Sequence, residues 1–233
     1  MAERVIGVDL GLAQDFTAIA VLDRLEVVEP EPVKQERERK RNYYIENKQP
    51  VPADCEPPKP IYDLVDLDRP QLGTAYHDVV TGLAVMVREE AKGREARLVV
   101  DATGVGRPVV DMLKGVGLRP IPIIITAGHY AHNDGGYWNV PKKELVTTGL
   151  ALLQSKRLRF AAEMPGVQTL MDELTGFKLK VTTAGNETFE PWREGEHDDL
   201  VFALCLACWA FERGIGRPFK HWAVDHPHFR DGC

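Results

Sequence analysis

The chain has 233 residues, a length that suits one α/β domain or one domain carrying a sizeable insertion. Hydrophobic residues make up 44% and charged residues 27%, as in ordinary globular proteins, and no run of about 18 apolar residues is present to span a bilayer. The formal net charge of −6 argues against broad attraction to nucleic acid, so nucleic-acid binding would require a local basic surface.

Apolar runs predict two adjacent strands at the start of the chain, over Arg4–Gly11 and Thr17–Val28, joined by a short polar loop. Residues 29–60 then change character, because they are rich in proline and contain a run of mixed charges. This composition predicts a solvated insertion or a long hairpin tip outside the core.

The middle of the chain alternates between predicted strands and helices. Ile61–Asp68 has the alternating pattern of a strand, and apolar residues spaced by three and four over residues 76–87 predict an amphipathic helix. A strand over Arg97–Asp101, a glycine-rich turn and a helix over Pro108–Lys114 follow. Arg119–Thr126 completes this part as a further strand.

The last third of the chain begins with a polar segment, Ala127–Val140, whose glycine, histidine and aromatic residues predict a functional loop. Pro141 is expected in the first turn of the next helix, where its missing N–H costs nothing. A helix over Gly166–Phe177, a strand or hairpin over Lys178–Glu190 and a final helix over Asp198–Glu212 complete the predicted core.

Strands that are first adjacent and then alternate with helices predict an α/β fold with a mixed central sheet flanked by helices on both faces. We expect one domain over residues 1–213, with its insertion at about 29–60, and a C-terminal tail over 214–233 with little periodicity. In sheets of this kind, functional residues gather at strand ends.

Acidic residues interrupt or end three of the predicted apolar elements. Asp9 lies inside the first strand, where an ionised carboxylate is costly unless it is paired or binds a cation. Asp101 closes a middle strand just before the glycine-rich turn, and a turn cap is the alternative role for it. Asp198 and Asp199 lie at the N-terminus of the final predicted helix, a position that helix capping alone would also favour.

Together these acids form the oxygen-ligand set that hard divalent cations require, contributed by a first strand, a middle strand and a last helix. Two Mg²⁺ or Mn²⁺ ions about 3.5–4 Å apart would clamp a phosphodiester, one generating hydroxide and the other stabilising the leaving oxygen. The pattern therefore favours a metal-dependent phosphodiester hydrolase.

Four motifs in this order resemble the nuclease domain of phage terminase large subunits, and they cover nearly the whole chain. They are G-V-D-L-G-L-A-Q-D-F-T-A-I-A at 7–20, V-V-D-A-T-G-V-G at 99–106, V-P-K-K-E-L-V at 140–146 and H-D-D-L-V at 197–201. The resemblance implies a ribonuclease-H-like fold, with Asp9, Asp101 and one of Asp198 or Asp199 as metal ligands and Asp199 favoured as the catalytic one. In resolvase relatives a further acid often follows three residues later, where this chain has Phe202.

The resemblance also implies an endonuclease that cuts concatemeric viral DNA during genome packaging. The expected partners are double-stranded DNA, a portal, a small terminase and an ATPase motor, in the cytoplasm of a bacterial host and without a membrane. No G-x-x-x-x-G-K-[ST] loop occurs in the sequence, so we expect the motor to lie on another chain or in a domain from which this one was excised.

Basic residues near the acidic motifs are candidates for phosphate contacts. Arg107 follows the glycine-rich turn, and Lys142 and Lys143 begin a predicted helix. Ordinary solvated surface is the alternative role for all three. The run Lys34–Arg41 would also reach DNA as an arm, but its interleaved acids favour a solvated segment.

Two other functions fit parts of the pattern. The motifs at 7–17 and 101–106 also resemble the phosphate loops of actin-like and sugar-kinase ATP-binding folds, although the end of the chain lacks their glycine-rich adenosine motif. A Holliday-junction-resolvase-like nuclease remains an alternative within the same superfamily. Cys205 and Cys208 form a CxxC inside an apolar helical run, where we expect core packing rather than metal or redox work.

Overall fold

The computed structural model describes residues 3–11, 15–90, 95–104, 106–183 and 198–216. Its strands are β1 (Glu3–Asp9), β2 (Ala18–Leu25), β3 (Ile61–Asp68), β4 (Glu95–Asp101), β5 (Ile121–Thr126), β6 (His132–Asp134), β7 (Tyr137–Pro141) and β8 (Leu158–Arg159). Its helices are α1 (Glu31–Glu46), α2 (Tyr76–Glu90), α3 (Gly106–Gly115), α4 (Lys142–Gln154), α5 (Val167–Thr183) and α6 (Asp199–Glu212).

The described strands form one mixed sheet in the order β6-β7-β5-β4-β1-β2-β3-β8. The opening hairpin is confirmed, since β1 pairs antiparallel with β2 and β2 pairs antiparallel with β3. Strands β1, β4, β5 and β7 run parallel to one another. Their last residues therefore lie along one edge of the sheet.

Helices cover both faces of the sheet, as the sequence predicted. Alternation along β1 sends Val5 into a core shared with α4, α5 and α6, whereas Ile6 and Val8 enter a second core with α2 and α3. The order of strands and helices thus gives two apolar layers around a central sheet.

Helix α6 is buried on nearly all sides. Every residue from 199 to 211 is buried, because α6 packs on β1, β2 and β4 and is covered by α4 and α5. Cys205 and Cys208 lie inside this core, and burial raises the pKa of both thiols, that of Cys205 to about 12. Core packing of the CxxC is what we expected.

The insertion at 29–60 is solvated, but it contains a helix and is not a hairpin tip. Helix α1 buries none of its residues. Pro30 precedes the helix and Pro32 lies in its first turn, where proline is tolerated. Pairs at helical spacing such as Lys40 with Glu36, whose Nζ and Oε1 are 3.1 Å apart, add a little stability to a helix that lacks an apolar face.

The segment predicted as a functional loop, Ala127–Val140, is in large part a hairpin at the sheet edge. β6 and β7 pair antiparallel across Gly135 and Gly136, whose φ angles are 56° and 87°. Two consecutive residues with positive φ make the tight turn that matches the twist of a hairpin, and glycine adopts them without strain.

The structure corrects two further predictions about element boundaries. The strand or hairpin expected over Lys178–Glu190 is wrong in its first part, because α5 continues as a helix to Thr183, and residues 184–190 lie outside the described residues. Pro141 is the last residue of β7 and occupies the N-cap position of α4, so this helix begins one residue later than expected. No helix among the described residues is both long and apolar enough to cross a membrane.

The domain limits of 1–213 and the tail of 214–233 stay predictions. Residues 214–216 are described, and residues 217–233 lie outside the described part.

Candidate active site

Asp9 and Asp101 close two neighbouring parallel strands. Val8 of β1 is in register with Val100 of β4, so the next residue of each strand is an aspartate at the same edge of the sheet. Asp101 accepts a hydrogen bond from the Asp9 carboxyl group. The two acids therefore lie side by side.

Helix α6 brings Asp199 to the same edge through a close approach at Gly7. A Cβ atom at Gly7 would overlap the carbonyl oxygen of Ala203, so helix and strand pack here without an intervening side chain. Two residues along β1 lead from Gly7 to Asp9, about 6.6 Å. Four residues along α6 lead from Ala203 back to Asp199, a distance of about 6 Å. Because the distance along the strand and the distance along the helix are similar, Asp199 lies over Asp9.

The electrostatic environment of Asp9 is dominated by burial and by the other three acids. Burial raises its pKa well above the ordinary value of 3.8, and the charges of Asp101, Asp199 and Asp198 raise it further, in that order. The pKa of Asp101 is also raised by burial, although hydrogen bonds from Thr103, whose backbone N–H lies 2.8 Å from Asp101 Oδ1, oppose the shift. Four carboxyl groups thus share one region of unfavourable negative potential.

Lys142 is the predicted phosphate-binding residue that the structure brings to these acids. It follows β7 at the same sheet edge, and its positive charge lowers the pKa of Asp9. The Lys142 Nζ also lies 4.7 Å from the ring centroid of Phe202. The aromatic ring at the position of the extra resolvase acid therefore supports a lysine.

The other two basic candidates are exposed and turn to different surroundings. The Arg107 guanidinium lies over the Tyr137 ring at 5.3 Å, beside Lys114 at 5.7 Å from the same ring. Lys143 is exposed in the first turn of α4. Neither appears among the charges that shift the pKa of Asp9.

The donor set suits a hard divalent cation in its chemistry, since all four groups offer carboxylate oxygens. Within the described residues, no three His, Cys, Asp or Glu side chains already stand in metal-binding geometry. The Oδ2 atoms of Asp198 and Asp199 are buried and accept no hydrogen bond there, although both residues interact with neighbours in other ways. The four carboxyl groups lie near one another, but among the described residues no three of them form a ready metal site.

Two acids that the sequence analysis did not single out support α6 from neighbouring helices. Glu144 of α4 accepts hydrogen bonds from the Trp209 indole at 2.8 Å and from Arg213 Nε at 3.0 Å. Glu173 of α5 is buried and accepts the backbone N–H of Val201 at 3.1 Å. A charged residue on an otherwise apolar helix face, beside Leu170, was the signal available for Glu173.

The chain is similar in sequence to two large terminase subunits, those of Thermus phage G20c and Thermus virus P23-45. It is 26% identical to each over 167 residues, a match that covers 69% of this chain and 30% of each relative. The chain therefore matches about a third of the length of these relatives. No protein-family model matches it.

The crystal structure of the large terminase nuclease from thermophilic phage G20c has the same fold. The two chains superpose with a TM-score of 0.50 at 21% identity, over 88% of this chain and 81% of the other. Sequence and fold comparisons agree, and the resemblance of this chain to the nuclease domain of terminase large subunits, which four motifs predicted, is confirmed.

Proposed function

We propose that the chain is a divalent-metal-dependent DNA endonuclease. The observation that carries the proposal is the convergence of Asp9, Asp101, Asp198 and Asp199 at one sheet edge, where the other three acids raise the pKa of Asp9. A buried group of like charges is costly without a cation, so a functional demand explains it better than a structural one.

Asp9, Asp101 and Asp199 would hold Mg²⁺ or Mn²⁺, with Asp198 beside them. A pair of such ions supplies an activated water and stabilisation of the leaving oxygen for in-line phosphodiester hydrolysis. Asp9 and Asp101 lie on strands and Asp199 on a buried helix, so rigid elements fix their backbones. Reorientation for binding is thereby limited to side chains.

Double-stranded DNA with little sequence preference is the proposed substrate. Lys142 is the candidate cation whose charge lowers the pKa of Asp9. Arg107 and Lys143 would extend phosphate contacts outward from it. Because the net charge is −6, binding has to rely on such local cations.

We further propose that the chain cuts concatemeric viral DNA during genome packaging in a bacterial cytoplasm. The relatives it resembles are large terminase subunits, of which the match spans 30%. The packaging role would require an ATPase motor, on another chain or in a domain joined to this one, together with a portal and a small terminase.

Plasmid cleavage tests the proposal. Wild type, Asp9→Asn and Asp101→Asn are incubated with supercoiled plasmid in Mg²⁺, in Mn²⁺ and in EDTA. We expect cleavage by the wild type with either metal, none in EDTA, and at least ~100-fold less with either variant, because each loses a ligand.

Equal cleavage by all three proteins would exclude the assigned site. Preference for a four-way junction over linear duplex would favour the resolvase alternative. A rise in melting temperature with ATP, but not with DNA and metal, would favour the ATP-binding alternative.

A further inference from the structure

The buried carboxylate of Glu173 contacts the N-terminus of the helix that carries Asp198 and Asp199. Its side chain is only 5% exposed. We infer that Glu173 is a positioning residue, which holds the start of α6 so that Asp198 and Asp199 face a bound divalent cation. This inference rests on the proposed function and adds a residue to it.

Helix α6 takes its cap from another helix. Asp198 occupies the N-cap position, yet its side chain makes no capping hydrogen bond. Aspartate at this position ordinarily accepts a backbone N–H of its own helix. Here Glu173 Oε2 accepts the Val201 N–H at 3.1 Å, and the Leu200 N–H also contributes to the environment of Glu173. The helix start is therefore satisfied without the Asp198 carboxylate.

The other oxygen of Glu173 is tied to the loop that follows Asp9. Glu173 Oε1 accepts a hydrogen bond from Arg69 Nη1 at 3.1 Å. The Arg69 guanidinium lies 4.0 Å from the centroid of the Phe16 ring, which belongs to the loop between β1 and β2. One chain of contacts thus connects the start of α6 to the segment that follows Asp9.

A buried carboxylate is an energetically unfavourable cap for this helix, because its surroundings disfavour the charged form. Burial raises the pKa of Glu173 to about 7, with the nearby charge of Asp199 as a smaller contribution to the same rise. A neutral glutamine would accept the same N–H without repelling Asp199. Glu173→Gln therefore separates the capping hydrogen bond, which it keeps, from the charge of the carboxylate, which it removes.

The test measures Mn²⁺ binding by calorimetry without DNA, together with the melting temperature, on the full chain. We compare wild type with Glu173→Ala and Glu173→Gln. The exposed Asp172→Ala on the same helix controls for loss of an acid. Tyr62→Phe removes the hydrogen bond to Glu212 at the far end of α6 and controls for loss of stability alone.

Glu173→Ala should raise the Mn²⁺ dissociation constant roughly 10–100-fold, as loss of a group supporting metal ligands does. Glu173→Gln should keep a near-wild-type melting temperature and bind Mn²⁺ within about twofold of the wild type, because its amide oxygen still accepts the Val201 N–H. Asp172→Ala and Tyr62→Phe should bind Mn²⁺ as the wild type does.

Wild-type Mn²⁺ affinity in Glu173→Ala would overturn the inference. A large loss of affinity in Glu173→Gln would also overturn it, whether or not Glu173→Ala folds, because the lost charge and not the helix cap would then explain the effect. An equal loss of affinity in Tyr62→Phe would overturn it as well, since destabilisation of α6 would then suffice. Absence of Mn²⁺ binding in the wild type would instead overturn the proposed function, and this inference with it.

Discussion

The surroundings of Asp9 disfavour the ionised form of its carboxyl group. Its pKa in the folded protein is raised well above 3.8, first by burial and then by the three neighbouring acids. The folded metal-free protein therefore keeps a proton that the unfolded chain has released. Its stability falls as the pH rises from about the ordinary pKa of Asp9 toward the raised one, and stays lower above it.

The first prediction concerns Asp9→Asn in EDTA. Asparagine removes the repelled charge at nearly the same volume, so the variant should melt at a higher temperature than the wild type at neutral pH. Each unit of pKa shift corresponds to about 1.4 kcal/mol, and the difference should shrink as the pH is lowered toward 4. Differential scanning calorimetry between pH 4 and 8 measures it.

Asp111→Asn is the matched control, because Asp111 is exposed and pairs with Lys114 at helical spacing. It should leave the melting temperature nearly unchanged at every pH. A lower melting temperature for Asp9→Asn in EDTA would show that the Asp9 charge is compensated, contrary to the electrostatics described above.

At the scale of elements, the packing of α6 on β1 sets the height of Asp199 above the sheet. Gly7 lets the backbone of Ala203 approach the strand directly. On the other side of α6, Gly149 leaves room for the Cys205 Sγ, so both neighbours admit the helix closely. Small residues at these contacts determine where the last two acids lie.

Gly7→Ala should therefore displace α6 outward. A methyl group that overlaps a backbone oxygen costs about 1–3 kcal/mol of stability, and the Mn²⁺ affinity should fall with it because Asp199 moves from Asp9. Chemical denaturation and Mn²⁺ calorimetry measure the two effects.

Gly82→Ala provides the control, since a Cβ at this exposed position of α2 meets nothing within 4 Å. It should stabilise the protein by about 0.5–1 kcal/mol, the usual gain for alanine in a helix, and leave Mn²⁺ binding unchanged. Unaltered stability in Gly7→Ala would contradict the close packing of α6.

For the molecule as a whole, cation binding would join segments that are distant along the chain. Asp9, Asp101 and Asp199 lie on two strands and the last helix, so the site exists only when the sheet and α6 have assembled. A ligand that binds the folded state alone stabilises it by mass action.

Mn²⁺ should accordingly raise the melting temperature. At about 100 times its dissociation constant the gain is ~2.7 kcal/mol, or roughly 5–10 °C for a chain of this size. The double variant Asp9→Asn, Asp101→Asn should show no rise, and sodium chloride at equal ionic strength should not reproduce it. An equal rise in the double variant would place the bound ion elsewhere.

Much of the fold was predictable because its signals are local. The runs of β1 and β4 and the spacing of α2 depend on neighbours within a few residues, and these elements lie where expected. The misassigned segments are those where local signals conflict. Helix α1 has no apolar face, so its sequence lacks the periodicity that indicates a helix. After residue 178 the apolar residues alternate as in a strand, although α5 continues there as a helix.

The sequence by itself determined which groups are available: three acidic positions at the ends of apolar elements, in motifs that resemble terminase nucleases. Only the tertiary structure decided that Asp9 and Asp101 hydrogen-bond each other and that Glu173 caps α6. The reason is physical, since strand order and helix packing are set by contacts between residues far apart in the chain, which a local pattern does not record.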